Sequence, residues 1–117
     1  MVGTGVARTA LVLVFGLSLV VLFSPASAVP SAPPGTDIVV HLSLFAALTF
    51  SSLLAGLPRP AAVVLWLGYA ALSEVLQTTI PGLYRSGSVL DWLADAAGVL
   101  FGLLVATLLR HRCSSVT

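Results

Sequence analysis

The sequence has no lysine and no asparagine, a single cysteine, and four acidic residues against five arginines in 117 positions. Each scarcity excludes something. The formal net charge is +1, so there is neither the basic surplus that binds nucleic acid nor a polybasic patch for a membrane surface. Cys113 stands alone, so no internal disulfide can form, and in the tail it reads as an ordinary thiol. Charged residues make up 8% of the chain, too few to cover a small soluble domain, whose area is large for its volume. The complete lack of Lys and Asn is in keeping with a GC-rich bacterial genome.

What is there is apolar. Mean hydropathy is +1.11, and several long apolar stretches share one short chain. That pattern means an integral membrane protein of one domain, 1–117, whose first partner is the lipid bilayer. The first run spans about Thr9 to Ser24, with Arg8 just before it. It is short for a span unless Val6 and Ala7 join it and Arg8 snorkels. Ala26-Ser27-Ala28 has the Ala-x-Ala form of a signal-peptide cleavage site. The run before it matches the later ones in character, and it is read as a retained helix.

Pro30, Pro33 and Pro34 make Val29–Gly35 an extended loop. Thr36 or Asp37 can cap a second helix over about Ile38–Leu57, because their oxygens accept from free N–H groups of the first turn. Pro58-Arg59-Pro60 breaks the chain in three residues, which makes the neighbouring helices an antiparallel hairpin. A third helix over about Ala61–Ile80 ends at Pro81-Gly82. Ser88 and Asp91 give an S-x-x-D start to a fourth over about Val89–Leu109, followed by Arg110-His111-Arg112 and a short polar tail. The expected fold is all-α: a four-helix transmembrane bundle, antiparallel up-down.

Four crossings put both termini on one side of the membrane. Arg8, Arg59, Arg110 and Arg112 fall on that side and Arg85 alone on the other, so the positive-inside rule makes both termini cytoplasmic. Asp37, His41, Glu74, Gln77, Arg85, Asp91 and Asp95 then gather toward the outer face. At a rise of about 1.5 Å per residue, Glu74 and Asp95 each lie roughly 9 Å inside their helix ends. Carboxylates at that depth face a bundle interior or a wet cavity and mark a functional site. Asp91 and Asp95 share a helical face, which continues into Gly98 and Gly102. This G-x-x-x-G pair admits a close helix partner, so the acid face is also a packing face.

Glu74, Asp91 and Asp95 are the candidate general acids or bases. Asp37, His41, Gln77 and Arg85 are the candidate ligand-binding residues, with Arg85 suited to a phosphate or carboxylate. His41, Glu74, Asp91 and Asp95 are ligand types for a divalent ion, but no tight spacing such as H-x-x-x-H occurs, so no metal or cofactor is predicted. The alternative is structural: Arg85 pairs with Asp91 or Glu74, and the other polar groups bond across helices. Trp66 and Ser73 read as packing residues and Trp92 as an interfacial anchor.

Together, Asp37-x-x-x-His41, Glu74-x-x-Gln77, Arg85-Ser86 and Asp91-x-x-x-Asp95-x-x-Gly98-x-x-x-Gly102 resemble the VanZ-like family of small bacterial membrane proteins. The resemblance covers about Thr36 to Arg110. The chain departs from it in having Ile38 where a Lys is usual and Asp95 where an Asn is common. The resemblance implies a multi-pass plasma-membrane protein, and the family's namesake is associated with low-level teicoplanin resistance. Two functional classes follow. One is an envelope protein that binds or modifies a lipid-linked or cell-wall ligand, with a role in glycopeptide resistance. The other is a non-enzymatic structural or partner-docking component of the membrane.

Overall fold

A computed structural model describes residues 3–23, 36–79 and 89–116. They form four α-helices: α1 (Thr4–Phe23), α2 (Thr36–Leu54), α3 (Arg59–Thr79) and α4 (Val89–Val116). No strand occurs among the described residues. Helices α1, α3 and α4 are long and apolar enough to cross a membrane, and α2 is apolar over Ile38–Leu54.

The helix ends follow from local chemistry. α2 stops at Leu54 because Gly56 takes a φ of 105°, a conformation that side chains disfavour. Gly56 N–H then donates to Leu53 O at 3.1 Å and Leu57 N–H to Ser52 O at 3.0 Å. These two bonds form the Schellman cap that satisfies the last carbonyls. Leu57, expected inside the helix, therefore lies beyond it. α3 begins sooner than expected, at Arg59, because Pro60 sits in a first turn where its missing N–H costs nothing. The Pro58 carbonyl accepts the first bond of that helix, from Ala62 N–H at 2.9 Å. α1 likewise starts earlier, at Thr4, and takes in Val6, Ala7 and Arg8. α4 continues through Arg110-His111-Arg112 to Val116 rather than ending at Leu109, since neither Gly nor Pro interrupts it. The expected loop over Val29–Gly35, the Ala26-Ser27-Ala28 segment and the Pro81-Gly82 break lie outside the described residues.

Cross-helix contacts fix the directions. Trp66 of α3 meets Ser52 of α2, and Tyr69 meets Phe45, so α3 runs back along α2. Along α4, Asp95 meets His41, Gly98 meets Leu42 and Ala46, and Gly102 meets Ala46 and Thr49. Both series ascend, so α4 runs parallel to α2. Phe15 meets Trp66 and Ser18 meets Tyr69, so α1 runs parallel to α3. This is the up-down order expected of four antiparallel neighbours.

The core lies between α2 and its neighbours, around Phe45, Leu48, Leu53, Ala62, Trp66, Ala70 and Val99. The tightest seam joins α2 to α4. A Cβ on Gly98 would collide with the Leu42 carbonyl oxygen, and one on Gly102 would lie 2.5 Å from the Ala46 oxygen. The G-x-x-x-G face is thus a packing face, as expected, and its partner is α2. Val12, Leu13 and Val20 of α1, Val64 and Leu72 of α3, and Leu100 and Phe101 of α4 are exposed. In a membrane these faces meet lipid.

Candidate functional site

Three helices deliver one titratable side chain each to a common point. His41 lies on the second turn of α2, Glu74 near the end of α3 and Asp95 on the second turn of α4. Antiparallel α3 brings its C-terminal half beside the N-terminal halves of the parallel pair α2 and α4, which places all three at one level of the bundle. Their potential ligand atoms all lie within 4.8 Å of one another.

His41 and Asp95 form the centre. They are 2% and 0% exposed, and His41 Nδ1 is 2.7 Å from Asp95 Oδ1. With Asp95 ionised, Nδ1–H donates to the carboxylate. A short bond of this kind, with at least one charged member, fixes both the tautomer and the ring orientation. The close α2–α4 seam begins one turn below it, at Gly98. Glu74 is half-buried and supplies the third group.

Of the seven candidate residues, the structure brings His41, Glu74 and Asp95 together. Asp37 lies in the first turn of α2, one turn before His41. Gln77 is in the last turn of α3 and Asp91 in the first turn of α4, one turn before Asp95. The side chains of these three, and Arg85 altogether, lie outside the described residues.

A polar seam runs along the rest of the bundle. Ser18 Oγ and Tyr69 Oη are 2.9 Å apart, joining α1 to α3. Trp66 Nε1–H donates to Ser52 Oγ at 3.0 Å, joining α3 to α2. Phe15, Phe45, Trp66 and Tyr69 stack around these bonds with centroid separations of 5.3 to 6.2 Å. The sequence does not disclose this seam. Hydroxyls and rings in an apolar run look like ordinary packing, and only the spacing Phe15/Ser18 against Trp66/Tyr69, three residues apart on each helix, carries a signal. Ser73 is buried and donates back to Ala70 O at 2.8 Å, the packing role expected of it. Trp66 is likewise a core residue, at 4% exposed.

A search of curated proteins and of solved structures finds no match. The VanZ/LLP1 family model matches residues 3–110. The match extends beyond the expected Thr36–Arg110 to include α1, the helix that docks on α3 through Ser18 and Tyr69. The chain therefore belongs to the VanZ/LLP1 family and is a transmembrane-helix protein of that kind.

Proposed function

We propose that this is a multi-pass protein of a bacterial plasma membrane, with both termini cytoplasmic, that binds or modifies a lipid-linked or cell-wall ligand from the outer side. The observation behind this reading is the convergence of His41, Glu74 and Asp95 within 4.8 Å, at the end of the bundle opposite Arg8 and Arg59. Three ionisable groups from three helices are costly inside a membrane protein and mark its working point. In this reading Glu74, Asp91 and Asp95 move protons, while Asp37, His41, Gln77 and Arg85 hold the ligand. Membership of the family makes glycopeptide sensitivity the phenotype to examine first.

The test has two parts. In a Cys113→Ser background, single cysteines replace Ser31, Pro58, Ser86 and Ser114 and are probed in intact cells with an impermeant thiol reagent. Labelling at Ser31 and Ser86 alone supports the orientation; labelling at Pro58 and Ser114 overturns it. Teicoplanin sensitivity is then compared between cells expressing the native chain, Glu74→Gln and Asp95→Asn at matched abundance. Loss of an effect in both variants supports a working site.

One observation favours a second reading. His41 and Asp95 are bonded to each other directly above a backbone-close helix seam, which suits a structural clasp in a non-enzymatic membrane component. Under that reading the same variants lose abundance rather than function.

A further inference from the structure

We propose that His41, Glu74 and Asp95 form a site for one divalent transition-metal ion, with zinc, manganese, iron(II) or cobalt as the chemical class. The sequence argues against a metal only because no H-x-x-x-H or similar tight spacing occurs. The fold removes that objection, since each ligand comes from a different helix and their donor atoms lie within 4.8 Å of one another. One imidazole and two carboxylates form a mixed nitrogen and oxygen set. Such sets favour borderline transition ions, whereas calcium and magnesium take oxygen alone.

The geometry requires little adjustment. Two donors bound side by side to one ion at about 2.1 Å each lie roughly 3 Å apart, and His41 Nδ1 and Asp95 Oδ1 are already 2.7 Å apart. Glu74 is half-buried, and its three side-chain torsions let a carboxylate oxygen swing inward. A neutral imidazole, two carboxylates and a dication sum to zero charge, which suits a site inside the bundle where a net charge is costly. The packing also fits. Gly98 and Gly102 seat α4 directly against the α2 backbone, so two of the three ligands stand on closely packed helices. Three protein ligands leave at least one coordination position for water or for an oxygen of a bound ligand. Ligation through Nδ1 moves the ring proton of His41 to Nε2, so the imidazole stays neutral.

The site does not depend on which side of the membrane it faces, so it stands or falls separately from the envelope reading. The full-length protein, carrying His111→Ala and Cys113→Ser to remove competing tail ligands and no histidine tag, is purified in detergent, stripped with a chelator and dialysed against each metal. The expected result is about one equivalent of one of these metals per chain, and affinity lowered by more than about tenfold in His41→Ala, Glu74→Gln and Asp95→Asn. X-ray absorption of the bound ion in the same protein with its native His41, Glu74 and Asp95 should show oxygen and one nitrogen as ligands. That readout needs no site variant to fold. Substoichiometric metal, a first shell without nitrogen, or affinity unchanged in the three variants would overturn the proposal.

Discussion

The Gly98 backbone lies against the carbonyl oxygen of Leu42 so closely that no Cβ fits between them. The asymmetry with other glycines is testable. Gly98→Ala should destabilise the bundle markedly, because the neighbour is backbone and cannot swing aside as a side chain would. Gly68→Ala, where a Cβ meets nothing within 4 Å, should leave stability unchanged or raise it by up to about 1 kcal/mol. Thermal unfolding of the two variants in one detergent separates them.

His41 and Asp95 should behave as a unit. Removing one member of a buried pair costs about 3–5 kcal/mol, because the other is left in a dry place. His41→Ala and Asp95→Ala are each expected to approach that loss, with the double variant well short of the sum. Denaturant unfolding of the native chain and the three variants gives the coupling, and strict additivity would show that the 2.7 Å contact contributes nothing.

The indole of Trp66 depends on one acceptor. Ser52→Ala removes it and leaves a buried N–H without a partner, which costs about 1–3 kcal/mol. Replacing Trp66 by Phe in that background removes the donor as well, so part of the loss should be recovered. Unfolding followed by circular dichroism avoids reliance on the tryptophan signal itself.

Tyr69→Phe should have a smaller effect, near the average of about 0.6 kcal/mol for hydrogen bonds between membrane helices. Ser18 keeps its second bond, to Phe15 O at 2.6 Å, so no hydroxyl is stranded. The readout is the docking of α1. Crosslinking between cysteines placed on α1 and α3 should become less efficient while the rest of the bundle unfolds at the same temperature.

Much of this site is legible in the order of residues alone. Glu74 and Asp95 announce themselves because carboxylates inside apolar runs are rare and costly. Gly98 and Gly102 point to a close helix, since only small residues let backbones touch. His41 is visible as a polar residue one turn from Asp37. Its bond to Asp95 is not, because 54 residues separate the two and nothing along the chain pairs α2 with α4 rather than with α3. The same limit hides the Ser18–Tyr69 and Trp66–Ser52 bonds. Gly56 is a different case. It stands between Ala55 and Leu57 in an apolar run, and Pro58 after it looks like the natural stop, so the earlier left-handed cap passes unnoticed.

The order of the helices also governs when the site comes into existence. Chains are made from the N-terminus, so His41 reaches the membrane first, Glu74 follows, and Asp95 arrives last. A nascent chain with three helices inserted has an imidazole and a carboxylate but neither the partner of the imidazole nor the seam that holds it. The His41–Asp95 bond can close only after α4 has crossed and settled against α2. The His41–Asp95 bond is therefore also a mark that the fourth helix has joined the other three.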